Sequence, residues 1–195
     1  MKQYRDYYFK KAKQENYPAR SVYKLKEIDA RFKLLKRGFK VLDLGASPGS
    51  WTLFCSKKVG PSGFVVGVDL NPLKITLPKG VYFFQDDVFS PSDSLKQQFD
   101  ELGEFDLVLS DMAPKTTGIK FADQARSYDL AVEALFVAKK WLKQGGNFVV
   151  KIFVGPDVPE FLKQTREIFK QVKQFKPKSS RSESKEIFII GLKKI

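Results

Sequence analysis

Histidine is absent from this chain of 195 residues, and cysteine occurs once, at Cys55. Without histidine there is no Ser-His-Asp or Cys-His catalytic arrangement and no histidine-based zinc or iron site. A single cysteine forms neither an intramolecular disulfide nor a CxxC site, which favours a reducing, intracellular setting. We therefore expect no metal in the functional site and no thiol chemistry.

Long apolar runs are also missing from the sequence. No segment approaches the roughly 20 apolar residues that a membrane helix needs, and the charged, aromatic N-terminus lacks the apolar stretch of a signal peptide. We expect a soluble, cytoplasmic protein that does not associate with membranes. With 43% hydrophobic residues and 18 phenylalanines, the chain can build a core, and its length suits a single domain over residues 1–195.

Positive charge is abundant and unevenly placed. Lysine and arginine number 35 against 22 acidic residues, a net charge of +13. Residues 1–40 contain 13 of the basic residues and four acidic ones, so this stretch contributes +9 and the rest of the chain only +4. We expect a basic N-terminal helical arm, at about residues 1–37, and a polyanionic partner, nucleic acid before an anionic membrane.

Short apolar runs alternate with helical patterns along most of the chain. The apolar runs predict strands at residues 38–44, 63–69, 81–84, 105–110 and 146–153, and helices fit at 19–28, 50–59, 92–102, 123–142 and 159–169. The helix at 123–142 is expected to stop at Gly145 and Gly146. The alternation predicts an α/β fold with a mainly parallel sheet and helices on both faces. Residues 171–175 and 186–192 predict an antiparallel C-terminal strand pair, because their connection is too short for a crossover helix.

The turn after the first predicted strand contains glycines in the pattern Asp43-Leu-Gly45-Ala-Ser-Pro-Gly49-Ser-Trp. Gly45 permits a sharp turn and close approach of a ligand. Ser47 and Pro48 break the GxGxxG pattern of dinucleotide loops, which disfavours an NAD-dependent oxidoreductase, and no Gly-Lys-Ser/Thr follows for a P-loop.

Acidic residues follow the next two predicted strands. Asp69 ends the second strand, where an acid can bind ribose hydroxyls, and Asp86 and Asp87 follow the third, where they could contact an adenine amino group. With the glycine turn, this arrangement resembles the S-adenosylmethionine site of Rossmann-like methyltransferases.

Two further charged residues stand out against apolar strands. Asp111 follows the strand at 105–110, and Lys151 interrupts the strand at 146–153. A lysine in a central parallel strand is costly to bury unless it is paired, so Asp111 is a ready partner. Lys24 and Glu186, considered by themselves, are only surface charges.

The chain resembles the RrmJ/FtsJ family of ribose 2′-O-methyltransferases. The matching stretches span almost the whole chain: ARSVYKLKEID, VLDLGASPGSW, GVDLNP, LVLSDMAPKTTG, GGNFVVKIF and KPKSSRSESKEIFIIG. The resemblance implies a class I methyltransferase fold with a seven-stranded sheet. It also implies a catalytic tetrad at Lys24, Asp111, Lys151 and Glu186, with Glu183 as a competitor for the last place. The implied cofactor residues are Gly45, Gly49, Trp51, Asp69, Asp87 and Asp111. Ser50 replaces the second glycine that the family often has before the tryptophan.

The function implied by this resemblance is S-adenosylmethionine-dependent 2′-O-methylation of a ribose, most simply a uridine of large-subunit ribosomal RNA, free or in the assembled subunit. The basic arm and residues 173–185 would bind the RNA, and a monomer is expected. Two alternatives stay open at this point. One is the same reaction on a different RNA, such as a tRNA anticodon loop or an mRNA cap. The other is a basic RNA-binding protein that has the fold but no activity.

Overall fold

The computed structural model describes the backbone of residues 2–195 and the side chains of residues 7–195. Within them, seven strands form one sheet in the order β3-β2-β1-β4-β5-β7-β6. The elements are α1 Lys2–Gln14, α2 Val22–Phe32, β1 Lys40–Leu44, α3 Ser50–Val59, β2 Phe64–Asp69, β3 Val81–Gln85, α4 Asp93–Leu102, β4 Phe105–Ser110, α5 Lys120–Trp141, β5 Leu142–Phe153, α6 Val158–Arg166, β6 Phe169–Phe175 and β7 Glu186–Lys194.

The topology confirms the predicted α/β fold with a mostly parallel sheet. Strands β1 to β5 pair in parallel, whereas β7 runs antiparallel to both β5 and β6. The chain builds β1, β2 and β3 outwards, then crosses back so that β4 lies on the other side of β1. Because strand order reverses between β1 and β4, ligands of such sheets bind beyond the carboxyl ends of these two strands.

Several predicted boundaries differ from the structure. The helix predicted at 159–169 ends at Arg166, and Phe169 already begins β6, because the chain turns at residues 167 and 168 and pairs with β7. The junction of α5 and β5 differs more. Helix α5 ends at Trp141 rather than at Leu142, and the chain passes directly into β5, so that Gly145 and Gly146 lie inside this strand and not between the elements. The pairing of β4 with β5 shifts register there, because Phe105 faces Leu142 while Leu107 faces Asn147. Gly145 takes a positive φ of 78° in this irregular stretch, which explains why a glycine pair that favours a helix stop lies in a strand.

Helices cover both faces of the sheet and divide the core into two layers. One layer packs α4, α5 and α6 against residues such as Val108, Val150 and Ile189. The other packs α1, α2 and α3 against their strand neighbours, such as Leu109 and Phe188. Side chains alternate between faces along a strand, so successive residues enter different layers. In the part of the chain that is described, no helix is both long and apolar enough to cross a membrane.

Candidate active site

Strand alternation brings three charged residues to the same face of the sheet. Leu107 and Leu109 of β4 lie on the same face of the sheet as Asp111, which directly follows this strand. On β5, Val149 and Lys151 lie on that face too. The apolar members of both series belong to the core layer beneath α2 and α3. Polar residues thus replace apolar ones where the strands reach the carboxyl edge.

Strand β7 adds the third charge from the opposite direction. Because β7 is antiparallel to β5, its first residue, Glu186, pairs with Phe153, and Phe188 pairs with Lys151. Glu186 and Phe188 share a parity, and Phe188 is in the core layer under α2. The beginning of β7 therefore delivers a carboxylate to the edge at which β4 and β5 end.

The ammonium of Lys151 is buried, with the residue 6% exposed, and its contacts are to Asp111. Its Nζ lies 3.0 Å from Asp111 Oδ1 and donates a hydrogen bond of 2.6 Å to the main-chain oxygen of Asp111. A buried charge needs a partner of this kind. The pairing that the sequence suggested for these two residues is present in the structure.

Helix α2 completes the cluster with Lys24. Val22, Leu25 and Ile28 bury the apolar side of this helix in the core. Lys24 Nζ lies 2.7 Å from Glu186 Oε1 and 3.8 Å from Asp111 Oδ1. The structure thus brings together all four residues to which the family resemblance points.

Glu186, rather than Glu183, is the carboxylate that joins the cluster. Burial alone would raise the pKa of Glu186, but Lys24 and the hydroxyl of Ser180 outweigh it and hold the pKa below its ordinary value. Ser180 donates 2.9 Å to Glu186 Oε1, whereas Glu183 is exposed and its Oε2 accepts from Ser182. Ser180 is a contact that sequence reasoning missed, since a serine in a loop carries no signal of its own.

The glycine turn lies beside this cluster. Gly45 and Gly49 have φ values of 75° and 109°, which disfavour any residue with a Cβ. A Cβ on Gly45 would stand 2.4 Å from Met112 Cγ, and one on Gly49 2.8 Å from Ile75 Cδ1. The side chains of Met112 and Ile75 thus pack directly against the turn and leave no space for a Cβ at either glycine.

Asp69 and Asp87 lie at the edge where they were predicted. Asp69 accepts hydrogen bonds from the main-chain N–H of Ser47 at 2.9 Å and from that of Asn71 at 2.7 Å. Asp69 thereby fixes the glycine turn to the end of β2. Asp87 is half-buried and its Oδ1 accepts from Phe89 N at 2.9 Å.

Trp51 is directed into the core and not towards the glycine turn. It is 4% exposed, its indole N–H donates 2.9 Å to the main-chain oxygen of Ser21, and its ring packs against Phe188. Trp51 lies in the first turn of α3, where main-chain N–H groups have no acceptor within the helix. Its main-chain N–H, and not its indole ring, is therefore the group that faces the glycine turn.

Sequence reasoning assigned no role to the side chain of Asp43. This carboxyl lies in β1 on the same face as the charged cluster and is 1% exposed. Thr52 Oγ1, from α3, donates 2.6 Å to its Oδ2. Burial raises the pKa of Asp43 to about 7, although the Thr52 hydrogen bond opposes the rise. The bond joins β1 to α3 at the base of the glycine turn.

A cavity of about 310 Å³ opens next to the cluster, between α2 and the loop before β7. Its lining is mostly charged or hydroxylated: Arg20, Ser21, Lys24, Ser179, Arg181, Glu183, Ser184 and Glu186. Over the described residues, no group of three or more acidic, cysteine or histidine side chains is placed to hold a metal ion. The polar groups here are suited to ionic contacts and hydrogen bonds.

Comparison with known proteins agrees with this geometry. The model of the FtsJ-like methyltransferase family matches residues 17–194. A relative from Oleidesulfovibrio alaskensis, named ribosomal RNA large subunit methyltransferase E, is 62% identical over 98% of this chain and 93% of its own. A relative of the same name from Bdellovibrio bacteriovorus is 51% identical over 97% of each chain.

Solved structures support the same assignment. A Plasmodium falciparum protein described as a ribosomal RNA methyltransferase matches with a TM-score of 0.81 and 25% identity, over 91% of this chain and 98% of its own. Aeropyrum pernix fibrillarin, solved with natively bound S-adenosyl-L-methionine, shares the fold with a TM-score of 0.56 at 15% identity, over 82% of this chain and 68% of its own. The predicted Rossmann-like methyltransferase fold is therefore confirmed, and the chain belongs to the family of FtsJ-like methyltransferases.

Proposed function

We propose that this protein methylates the 2′-hydroxyl of a ribose in large-subunit ribosomal RNA, with S-adenosylmethionine as methyl donor. The observation that carries the proposal is the cluster of Lys24, Asp111, Lys151 and Glu186 beside the glycine turn. Relatives that are 62% and 51% identical carry the name ribosomal RNA large subunit methyltransferase E, which supports this RNA class over tRNA or an mRNA cap.

The residues around the glycine turn fit S-adenosylmethionine. The turn at Gly45 and Gly49 leaves no room for side chains, and the first turn of α3 offers N–H groups to a carboxylate. Asp69 is placed for ribose hydroxyls, and Asp87 for the adenine amino group. When bound, S-adenosylmethionine supplies an electrophilic methyl group.

Lys151 is proposed to hold the ribose hydroxyl. An ammonium has three N–H donors, and the two contacts of Lys151 Nζ are both to Asp111, at the main-chain oxygen and at Oδ1. The contact to the main-chain oxygen is a hydrogen bond and the contact to Oδ1 is an ion pair, which leaves an N–H donor for the 2′-oxygen. A fixed donor of this kind orients the hydroxyl and stabilises the negative charge that develops on its oxygen.

The other three residues are proposed to fix Lys151 and balance its charge. Asp111 contacts Lys151 directly and lies 3.8 Å from Lys24. Glu186 is held on Lys24 at 2.7 Å. The cluster thus alternates two cations with two carboxylates, so that no charge in it is buried without a partner.

RNA is proposed to bind along the basic surface next to the cluster. The basic arm, at about residues 1–37, and the basic stretch at 173–185 flank the cavity beside Lys24. The side chains of residues 1–6 lie outside the described part of the chain, so the contacts proposed here begin at Tyr7. We propose that residues 1–195 act as one domain and as a monomer in the cytoplasm.

The test offers labelled S-adenosylmethionine and three RNAs to the purified protein: large ribosomal subunits lacking the modification, the corresponding free ribosomal RNA, and bulk tRNA. Lys151→Ala is measured beside wild type, with Lys170→Ala, an exposed lysine on β6, as matched control. Labelled nucleotides are then mapped and the position of the methyl group on the ribose is determined.

The proposal expects label at the 2′-oxygen of one ribosomal RNA nucleotide, lost in Lys151→Ala and kept in Lys170→Ala. Label on tRNA alone would overturn the substrate class and keep the reaction. Cofactor binding without label on any RNA would favour a non-catalytic RNA-binding protein. If S-adenosylmethionine did not bind at all, the methyltransferase proposal would be wrong.

A further inference from the structure

Helix α2 does more than supply Lys24. Arg20 lies in the turn just before α2, and Lys24 and Glu27 lie within the helix at a spacing of three, which places these two on one side of it. Arg20 and Glu27, on either side of Lys24, both contact the loop between β6 and β7. This loop, residues 176–185, leads directly into Glu186.

The contacts of Glu27 are to main-chain groups of a tight turn. Ser180 N donates 3.1 Å to Pro177 O, which closes a four-residue turn with Lys178 and Ser179 at its centre. The two central N–H groups point outside the turn and donate to the Glu27 carboxylate, Lys178 N to Oε2 at 2.6 Å and Ser179 N to Oε1 at 2.9 Å. Both oxygens of one side chain thereby hold one turn, across more than 150 residues of sequence.

Arg20 holds the same turn from its other side. Its Nη2 donates 2.7 Å to the main-chain oxygen of Ser179. Hydrogen bonds to charged groups are stronger than neutral ones, and Glu27 and Arg20 provide three of them to two consecutive residues. The turn is therefore fixed relative to α2 by a carboxylate and a guanidinium.

The next residue after this turn reaches the catalytic cluster. Ser180 is 6% exposed, and its hydroxyl donates 2.9 Å to Glu186 Oε1, the same oxygen that lies 2.7 Å from Lys24 Nζ. The position of the Ser180 hydroxyl depends on the turn that Glu27 holds. One helix thus supplies a member of the cluster and fixes the loop that directs another member towards it.

We propose that Glu27 is a positioning residue for the methyl-transfer reaction, acting through the turn at residues 177–180 and the hydroxyl of Ser180 to hold Glu186 against Lys24. This inference rests on the proposed function, because it assigns a role within that site. Glu27 touches neither the substrate nor the reacting atoms. Its effect is transmitted by hydrogen bonds to Lys178 and Ser179.

The first test measures the turn itself and does not depend on activity. Amide hydrogen exchange is followed at Lys178 and Ser179 in wild type, Glu27→Ala and Glu27→Gln, with Glu133→Ala, an exposed glutamate on α5, as matched control. We expect exchange at both amides to be at least tenfold faster in Glu27→Ala and unchanged in Glu133→Ala. Unchanged exchange in Glu27→Ala would overturn the proposal.

The second test is a double-mutant cycle on turnover. Glu27→Ala and Ser180→Ala should each lower kcat roughly tenfold, because each leaves Glu186 without its hydrogen bond from Ser180, and cofactor affinity should be unchanged. If Glu27 acts through Ser180, the double variant should lose little more than either single variant, because both changes remove one interaction. Glu27→Gln should retain part of the activity, since its amide oxygen still accepts one hydrogen bond. Additive losses, or a loss of cofactor affinity, would overturn the proposal.

The dependence of kcat on pH provides a third test, because a general loss of stability would not shift the pKa values that this profile reports. Glu186 is faced by Lys24 from α2, Lys151 from β5 and Asp111 from the end of β4, with Arg181 and Glu183 lining the same cavity. Ser180 helps to keep the pKa of Glu186 low, so its loss should move the acidic limb of the kcat profile to higher pH. Glu27→Ala should produce the same shift as Ser180→Ala, and an unshifted limb would contradict the proposed route.

Wild-type protein run in parallel separates this inference from the proposed function. If wild type transfers no methyl group to any RNA, the proposed function fails, and the exchange measurement still decides whether Glu27 holds the turn. If wild type is active and Glu27→Ala matches it in kcat and pH profile, only the positioning role fails.

Discussion

The two faces of this sheet differ in what happens at the carboxyl edge. On the face beneath α4, α5 and α6, the series Phe148, Val150 and Ile152 stays apolar to the end of β5. On the face beneath α2 and α3, the neighbouring series changes from Val149 to Lys151. Adjacent residues of one strand therefore have different surroundings, the apolar core on one side and the proposed active site on the other.

The same contrast holds on the neighbouring strands. Asp43, Asp69, Asp111 and Glu186 share the face of Lys151 by strand parity and pairing, while their sequence neighbours enter the opposite core layer. Burying charge is costly, and here the cost is offset by ion pairs at Asp111, Lys151 and Glu186 and by hydrogen bonds at Asp43 and Asp69. A sheet built this way can keep one apolar layer intact while the other carries the site.

Among the substitutions Lys24→Ala, Asp43→Asn and Trp51→Phe, the largest effect is expected from Lys24→Ala. It removes the ammonium that lies 2.7 Å from Glu186 and 3.8 Å from Asp111, so that Glu186 loses its ion-pair partner. We expect single-turnover methyl transfer to fall about 100-fold, about 2.7 kcal/mol in the barrier, with the fold retained.

The matched control is Lys26→Ala, which removes a lysine of the same helix that pairs with Glu15 instead. It should keep near-wild-type turnover. Equal losses in both variants would mean that general damage to α2, and not the charge cluster, explains the effect of Lys24→Ala.

An intermediate effect, on the free energy of unfolding, is expected from Asp43→Asn. Asp43 lies on the same face of the sheet as the charged cluster but has no ion pair with it. The pKa of Asp43 is raised from 3.8 to about 7 in the folded protein, so between these values only the folded state binds the proton. The contribution of Asp43 to the free energy of unfolding is complete below about pH 4, declines as the pH rises from 4 to 7, and is absent above pH 7. The decline should amount to a few kcal/mol and be missing in Asp43→Asn, whose side chain stays neutral.

Denaturant unfolding at several pH values between 4 and 8 measures this difference. Other groups titrate alike in both proteins, so the wild-type curve minus the variant curve isolates Asp43. Parallel curves would show that Asp43 is ionised throughout and that burial does not control its charge.

The smallest effect is expected from Trp51→Phe. The ring space stays largely filled, but the hydrogen bond from the indole N–H to Ser21 is lost, which should cost about 1 kcal/mol of unfolding free energy. Calorimetric titration should give unchanged affinity for S-adenosylmethionine. A tenfold weaker affinity would show that the indole ring contacts the cofactor and would contradict the interpretation of Trp51 as a core residue.

Much of the fold follows from local sequence pattern. The helix at 50–59 and the strand at 105–110 have the predicted bounds, because Gly49 and Gly60 flank the helix and acidic residues flank the apolar strand. The junction of α5 and β5 could not be predicted, because the irregular pairing with β4 that accommodates Gly145 and Gly146 depends on a distant strand.

Only part of the candidate site could be predicted from the sequence. Lys151 and Asp111 stand out as charges in or beside apolar strands, and alternation alone suffices to place them on one face. Lys24 and Glu186 came from family resemblance, since each looks like an ordinary surface charge in sequence. Ser180 could be found only in three dimensions, because its role depends on a tertiary hydrogen bond.

The most direct test of the account compares two adjacent residues on the two faces, Lys151→Ala and Ile152→Ala. For each variant, unfolding free energy and single-turnover methyl transfer to large-subunit ribosomal RNA are measured on the same preparation. Lys151→Ala should lower the rate at least 100-fold with unchanged cofactor affinity, whereas Ile152→Ala should lose about 2–4 kcal/mol of stability with near-normal turnover per folded molecule. Near-wild-type turnover in Lys151→Ala would contradict the account.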